Sequence, residues 1–215
     1  MSVAIDGPAG AGKSTVSKRL AKETGFELLD TGAMYRAYAW LDLQHHYGQQ
    51  LATNISQHVF EFDMSTGSMV VACDDQDITS AIRSAEVTAH VSNVAANPDV
   101  REIAVGQQRA FIEHELIEGK SVILEGRDIG TTVLPNASIK FFLTASPQER
   151  AKRRAAEVGG DVEEIAKAIE QRDFIDSSRQ VSPLVQADDA ILIDASDKSI
   201  DEVVETMKQL IVELQ

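Results

Sequence analysis

The chain is short of cysteine, of basic charge and of long apolar runs, and each shortage removes a class of protein. One cysteine, Cys73, stands among 215 residues. No internal disulfide closes, and a reducing compartment suits the chain. Cys73 itself reads as a small strand residue. No apolar run approaches ~20 residues, so no segment reads as a membrane-spanning helix. Met1-Ser2-Val3-Ala4-Ile5-Asp6 carries neither a basic segment nor a signal-like apolar stretch. Low-complexity segments, repeats and long linkers are absent too. Lys and Arg number 20 against 34 Asp and Glu, a net charge of −14, and that balance disfavours nucleic acid and other long polyanions as partners. A small anion is still accommodated where positive charge gathers locally.

What is present is an ordinary globular composition, 43% hydrophobic and 25% charged, with unevenly placed arginines. Arg127 sits between Glu125 and Asp128, Arg150, Arg153 and Arg154 crowd one stretch, and Arg172 and Arg179 lie seven apart. Any one of them alone reads as a solvated surface residue. Short continuous apolar runs at Val3–Ile5, Phe26–Leu29, Ser121–Leu124, Ile139–Leu143 and Ala190–Ile193 predict strands of a parallel sheet covered on both faces. Between them, helices are predicted over Lys13–Thr24, capped by Gly25, and over Ala33–Leu43. Another starts at a capping box, Ser146-Pro147-Gln148-Glu149, and the last at the box Ser199-Ile200-Asp201-Glu202. The stripe Ile200, Val203, Val204, Met207, Leu210, Ile211 and Leu214 has helical spacing and reads as core.

Strands alternating with helices give a doubly wound α/β fold of one domain, residues 1–215. Its middle differs. Phe60–Asp63 and Met69–Ala72, joined by Ser65-Thr66-Gly67-Ser68, predict a hairpin, followed by a helical stretch from Arg83 to Val94. Residues 54–98 are therefore expected to form a small insert.

Gly7-Pro8-Ala9-Gly10-Ala11-Gly12-Lys13-Ser14 matches the phosphate-loop pattern G-x-x-x-x-G-K-S/T in full, after a strand and opening a helix. Glycines let the backbone bend so that successive N–H groups point inward at phosphate, and the helix N-terminus adds positive potential. Lys13 is expected at the β and γ phosphates and the Ser14 hydroxyl on Mg²⁺, with Thr15 completing the cradle. The pattern names a ligand, not a reaction. A guanine-reading N-K-x-D segment is missing, and so is an apolar run ending in Asp-Glu of the kind found in ATP-driven motors. Instead Val122-Ile123-Leu124-Glu125-Gly126-Arg127-Asp128 places a cation and carboxylates at the end of a central strand, where open α/β folds bind ligands.

Leu29-Asp30-Thr31-Gly32-Ala33-Met34-Tyr35-Arg36 is a second strand-end turn. With it the sequence resembles the bacterial cytidylate kinases, a P-loop nucleoside monophosphate kinase family. The resemblance spans nearly the whole chain. It includes Asp77-Ile78-Thr79 through Ile82-Arg83, Val91-Ser92-Asn93-Val94-Ala95 through Val100-Arg101, Gln108-Arg109-Ala110-Phe111, Gly126-Arg127-Asp128-Ile129-Gly130, and Gln171-Arg172-Asp173 through Asp176-Ser177-Ser178-Arg179. It implies a P-loop kinase core, with the 54–98 insert binding the monophosphate and a short lid at about 150–172. It implies transfer of the γ-phosphoryl group of ATP, with Mg²⁺, to CMP or dCMP. Arg36, Arg127 and Arg172 are then expected to bind the acceptor phosphate, beside Thr31. Ser92, Arg101 and Asp128 are expected to read cytosine, Asp176 and Arg179 to hold ribose, and Arg150, Arg153 and Arg154 to close over ATP.

Two departures stand out. Glu125 occupies a position where the family often has Asp, and Asp74-Asp75 stands where Asn-Gly is common, which predicts a differently shaped turn. Asp30 reads equally as a helix cap and as a site residue. His45, His46 and His114 lack partners at metal-ligand spacing and read as surface or packing residues, and Tyr35 and Trp40 as core. The absence of targeting and membrane signals, the acidic balance and the availability of a small nucleotide substrate lead to the expectation of a cytoplasmic monomer with no membrane or nucleic-acid partner. The alternatives are a kinase of the same fold acting on UMP, AMP or a non-nucleotide, and a nucleotide-binding regulator or nucleic-acid-stimulated ATPase.

Overall fold

A computed structural model describes residues 1–63 and 69–214. Five strands, β1 (Ser2–Asp6), β2 (Glu27–Asp30), β6 (Val122–Glu125), β7 (Ile139–Thr144) and β8 (Ile191–Asp194), form one sheet in the order β2-β6-β1-β7-β8. Every pairing in it is parallel. Successive side chains of a strand point to opposite faces, and the core divides accordingly. Val3, Ile5, Ile123, Phe141 and Leu143 join one buried cluster, with Val16 and Leu20 of α1 (Lys13–Thr24) and Val203, Val204, Met207 and Ile211 of α8 (Ile200–Val212). Ala4, Val122 and Leu124 join the other, with α2 (Thr31–His45) and the small sheet. The doubly wound arrangement is thus written into alternate residues of β1 and β6.

The remaining elements follow in chain order. A short helix, α3 (Leu51–Ile55), leads to an antiparallel three-stranded sheet of β3 (Phe60–Asp63), β4 (Val70–Cys73) and β5 (Gln76–Asp77). The predicted Ser65–Ser68 turn lies outside the described residues. Then come α4 (Ala85–Ala96) and α5 (Pro98–Ile117), the latter opened by Asn97 as cap and Pro98 in the first turn. α6 (Pro147–Val158) and α7 (Val162–Ser178) precede β8. Among the described residues no helix is long and apolar enough to cross a membrane.

Caps explain where the helices start and stop. Gly25 ends α1 at φ 73°, its N–H on Ala21 O. The box at Ser199 is complete. The box predicted at Ser146 is half made: Ser146 Oγ accepts from Glu149 N, but the Ser146 N–H donates to Ser196 Oγ at 2.8 Å, so Glu149 is left to pair with Lys152. The Asp74-Asp75 turn also differs from expectation. With φ of 50° and 66° it keeps the left-handed conformation at both residues that Asn-Gly would adopt.

Candidate active site

The phosphate loop joins the central strand β1 to α1, and its glycines are dictated by space. Gly7, at φ 147°, lies so close to β7 that a Cβ would stand 1.9 Å from Leu143 O. Gly12 caps α1 at φ 94°. Lys13 is buried, and its Nζ donates to Gly7 O at 2.7 Å and Pro8 O at 2.8 Å. Burial first, then Arg127, holds its ammonium below the ordinary lysine range. Ala9 is anchored on both sides: its N–H donates to Asp173 Oδ1 at 3.0 Å and its carbonyl accepts from Arg150 at 2.9 Å. Gly10 (φ 73°) packs on Arg150, Ala11 is buried, and Ser14 and Thr15 are exposed at the mouth.

Parallel register brings two carboxylates to that mouth, since Asp30 at the end of β2 is paired with Glu125 at the end of β6. Asp30 caps α2, accepting from Ala33 N at 3.1 Å. It also lies close enough to Glu125 to act on its charge, so the cap and the site place it together. Glu125 is 3% exposed and neither carboxylate oxygen has a partner. Burial first, then Asp30, raises its pKa, while Lys13 and Ser14 lower it. A buried, unpartnered carboxylate beside a hydroxyl and a second carboxylate fits a hard divalent cation.

Beyond the cradle a cavity opens between α2, α4, the β6 end and α7. Its wall contains eight of the nine residues assigned above to the acceptor: Thr31, Ser92, Arg101, Arg127, Asp128, Arg172, Asp176 and Arg179. Arg36, the ninth, stands just outside, donating to Thr88 Oγ1 at 2.8 Å and Ile82 O at 3.3 Å. Thr31 Oγ1 donates to Glu125 O at 2.7 Å, which ties the two strand ends together. Arg127 Nε donates to Asp176 Oδ2 at 3.0 Å. Arg172 keeps a buried Nε without a partner. Burial and then the charges of Arg127 and Arg36 hold Arg172 below the ordinary arginine range, and burial with Arg154, Arg83 and Arg127 does the same to Arg36. Guanidiniums stay protonated near neutrality, so three cations press on one another, countered in part by Asp176 and Asp173 at Arg172 and by Asp30 at Arg36.

The far end of the cavity is a different kind of surface. Asp128 is held between Arg101 Nη2, on Oδ2, and Arg179 Nη2, 3.6 Å from Oδ1. Arg101 also donates to Ala95 O at 3.0 Å. Ser92 Oγ and Arg101 Nε are buried without hydrogen-bond partners. Left unpaired, each such group costs about 1–3 kcal/mol, which a ligand of matching pattern recovers.

The three lid arginines separate. Arg150 is buried and turned inward to Ala145 O, Ala9 O and Asp173. Arg153 donates to Ala195 O at 2.5 Å and lies beside Gly12. Arg154 pairs with Glu157 at 3.0 Å and is near enough to Arg36 to depress it.

Sequence reasoning missed two contributors. Tyr35 was read as core. It is buried in the core cluster, but it also lines the cavity, with the Arg101 guanidinium 5.3 Å from its ring centroid. Asp6 drew no reading from the sequence. Its two oxygens accept from Ile129 N at 2.8 Å and Gly130 N at 2.7 Å, so it fixes the turn that follows Arg127 and Asp128. Burial raises its pKa to about 6, the two N–H groups opposing that rise. The one local signal was a carboxylate placed directly before the phosphate loop.

Comparison with known proteins agrees with this geometry. The sequence model of the cytidylate kinase family matches residues 3–213. The chain belongs to the cytidylate kinase family. Among curated relatives, cytidylate kinases of Streptococcus pneumoniae strains Hungary19A-6 and 70585 are each 46% identical over 216 residues, covering 96% of this chain and 95% of theirs. Membership makes the chain a kinase, a nucleotide-binding transferase. Solved structures with similar folds include an uncharacterized protein from Eubacterium ventriosum (TM-score 0.58, 15% identity, covering 99% of this chain and 98% of that one). Another is TT1252 from Thermus thermophilus (TM-score 0.52, 17% identity, 100% and 98% covered). At such identities the likeness concerns the fold alone.

Proposed function

We propose that the chain transfers the γ-phosphoryl group of ATP to CMP and to dCMP, giving ADP and the corresponding diphosphate. The observation that carries this reading is the gathering of Arg127 and Arg172 in the wall of a cavity, with Arg36 just outside it, in a chain of net charge −14, and a hydrogen-bonding set of Ser92, Arg101 and Asp128 farther along the same wall. A nucleoside monophosphate has that polarity, an anion at one end and a patterned base edge at the other. Cytosine offers an amino donor at N4 and acceptors at N3 and O2. A carboxylate and a hydroxyl accept from the first, and a guanidinium donates to the ring. Uracil reverses the pattern at positions 3 and 4. Asp176 and Arg179 suit the sugar, and contact through the 3′-hydroxyl would admit both ribose and deoxyribose.

The acceptor phosphate is largely ionised near neutral pH, its second pKa being near ~6. It attacks without a strong general base, and none is assigned. Catalysis is positioning and charge neutralisation. Lys13 would leave Gly7 O and Pro8 O for the β and γ phosphates, and the loop N–H groups would hold the rest of the donor. Ser14 and Glu125 would hold a magnesium ion, Glu125 through water. When bound, that ion neutralises charge on the β and γ oxygens. Arg153 and Arg154 are assigned to the donor side, and Arg150 to anchoring Ala9. Residues 150–172 closing as a lid would exclude water.

Arg127→Ala tests the acceptor end. Turnover at saturating CMP is expected to fall by about 10²–10³-fold, with ATP affinity changed less than about threefold. Unchanged turnover would remove Arg127 from the acceptor phosphate.

A further inference from the structure

At the junction of α2 with the small sheet, three side chains with different donor atoms meet. Phe60 of β3 is paired with Cys73 of β4. His58 stands two residues before Phe60, in the bend that leads into β3. The turn closes next to it: Val59 N donates to Asp74 Oδ1 and Asp74 N to Val59 O, both at 2.9 Å. Asp74 Oδ2 lies 2.6 Å from His58 Nδ1. One donor atom each from His58, Cys73 and Asp74 lies within 4.8 Å of the other two. Donor atoms of a tetrahedral site with bonds of about 2.0–2.3 Å stand roughly 3.3–3.8 Å apart, so shifts of about 1 Å complete the set, the widest pair closing and the 2.6 Å contact of His58 with Asp74 opening. Hydrogen bonds hold the backbone of all three residues, Cys73 in the ladder opposite Phe60, Asp74 N on Val59 O at 2.9 Å and His58 N on Ile55 O at 3.2 Å, so the adjustment falls to the side chains.

We propose that His58, Cys73 and Asp74 bind a borderline-soft divalent metal ion, best matched by zinc, which clasps the segment before β3 to the β4–β5 turn. Thiolate, imidazole and carboxylate are the ligand types zinc takes. Magnesium prefers oxygen donors alone, so this site is distinct in chemistry from the one beside Ser14 and Glu125. The fourth position is left to water, with His45 near it: the His45 ring centroid is 5.8 Å from that of His58 and 5.1 Å from that of Tyr47, on which it stacks. Turn conformation alone does not call for the carboxylate, because Asn-Gly serves a turn with two positive φ values better. Cys73 is 4% exposed, and burial with the nearby Asp74 charge pushes its thiol up to about 11. Binding releases that proton to solvent as the sulfur–metal bond forms, so affinity rises with pH.

The test uses the full chain, stripped with chelator and free of nucleotide, titrated with Co²⁺. One equivalent is expected to produce the visible bands of tetrahedral cobalt together with a near-ultraviolet thiolate charge-transfer band, both bleached by Zn²⁺. Cys73→Ser is expected to lose the charge-transfer band. His58→Ala and Asp74→Asn, the second of which keeps the turn conformation, are expected to weaken binding more than about tenfold. Zn²⁺ is expected to raise the melting temperature of the wild type but not of Cys73→Ser, while Cys73→Ser phosphorylates its acceptor at the wild-type rate. A wild type with no cobalt spectrum, or a charge-transfer band that survives Cys73→Ser, overturns the proposal. So does a His58→Ala variant that is less stable although Zn²⁺ leaves the wild type unmoved, since the His58–Asp74 pair is then only a staple for the turn.

Discussion

In the proposed reading, Ser92 is a buried hydroxyl through which the site would tell two bases apart. Its Oγ sits in the cavity wall beside Asp128, whose carboxylate is fixed by arginines from α5 and from the residue after α7. Acceptors fixed in that way meet an amino group favourably and a carbonyl unfavourably. Ser92→Ala should lower kcat/KM for CMP by about 10-fold while changing that for UMP little, narrowing the preference without abolishing activity. Steady-state kinetics with both acceptors would measure it, and an equal loss for the two bases would place Ser92 outside base reading. Lys13 carries a pH signature of its own. Its folded pKa lies below the ordinary 10.5 because of burial and Arg127, and bound phosphates would raise it again. Between the two values, binding takes up a proton, so affinity for ATP without magnesium should weaken as pH rises from about 7 to about 9. Calorimetry in buffers of different ionisation enthalpy should show that uptake, and Lys13→Met should remove both the uptake and the pH dependence.

At the scale of elements, stability and chemistry separate cleanly in α8. Its complete capping box and buried stripe lie on the sheet face opposite α2. Ser199→Ala should cost about 1 kcal/mol in denaturant unfolding and leave turnover unchanged. Lost turnover would mean that α8 shapes the phosphate loop more directly than its packing on α1 indicates. Elements whose cause is local were legible in the sequence: α1 between its glycine-rich turn and Gly25, the five parallel strands, and the box at Ser199. Elements whose cause lies elsewhere were not. α5, opened by Asn97 and Pro98, drew no helix prediction, although it carries Arg101 into the cavity. Ser146 made half a box because Ser196, 50 residues away, competes for its N–H. The Asp74-Asp75 turn kept the shape of an Asn-Gly turn because a hydrogen bond from Val59 N, one to Val59 O and a contact with His58 hold Asp74 in place.

Across the whole molecule, the site is assembled from the ends of β1, β2 and β6 together with α2, α4, α5 and α7, which is why its parts lie scattered along the chain. Motif spacing pointed to the phosphate cradle, and the family resemblance supplied nine residues proposed for the acceptor, eight of which line one cavity. Neither indicated Asp6 or Tyr35. The role of Asp6 rests on a contact across more than 120 residues, and Tyr35 serves core and cavity together. Composition, by contrast, was a sound guide to charge. In a strongly acidic chain, the arginines are gathered where phosphates would stand, and that contrast gives the functional reading its weight. The most direct test is a coupled ADP-release assay with ATP and Mg²⁺, comparing CMP, dCMP, UMP, AMP and no acceptor. Rapid release with CMP and dCMP and little with the others is the predicted result. Release at the same rate with and without acceptor would contradict it, leaving a phosphate cradle whose neighbouring cavity serves some other ligand.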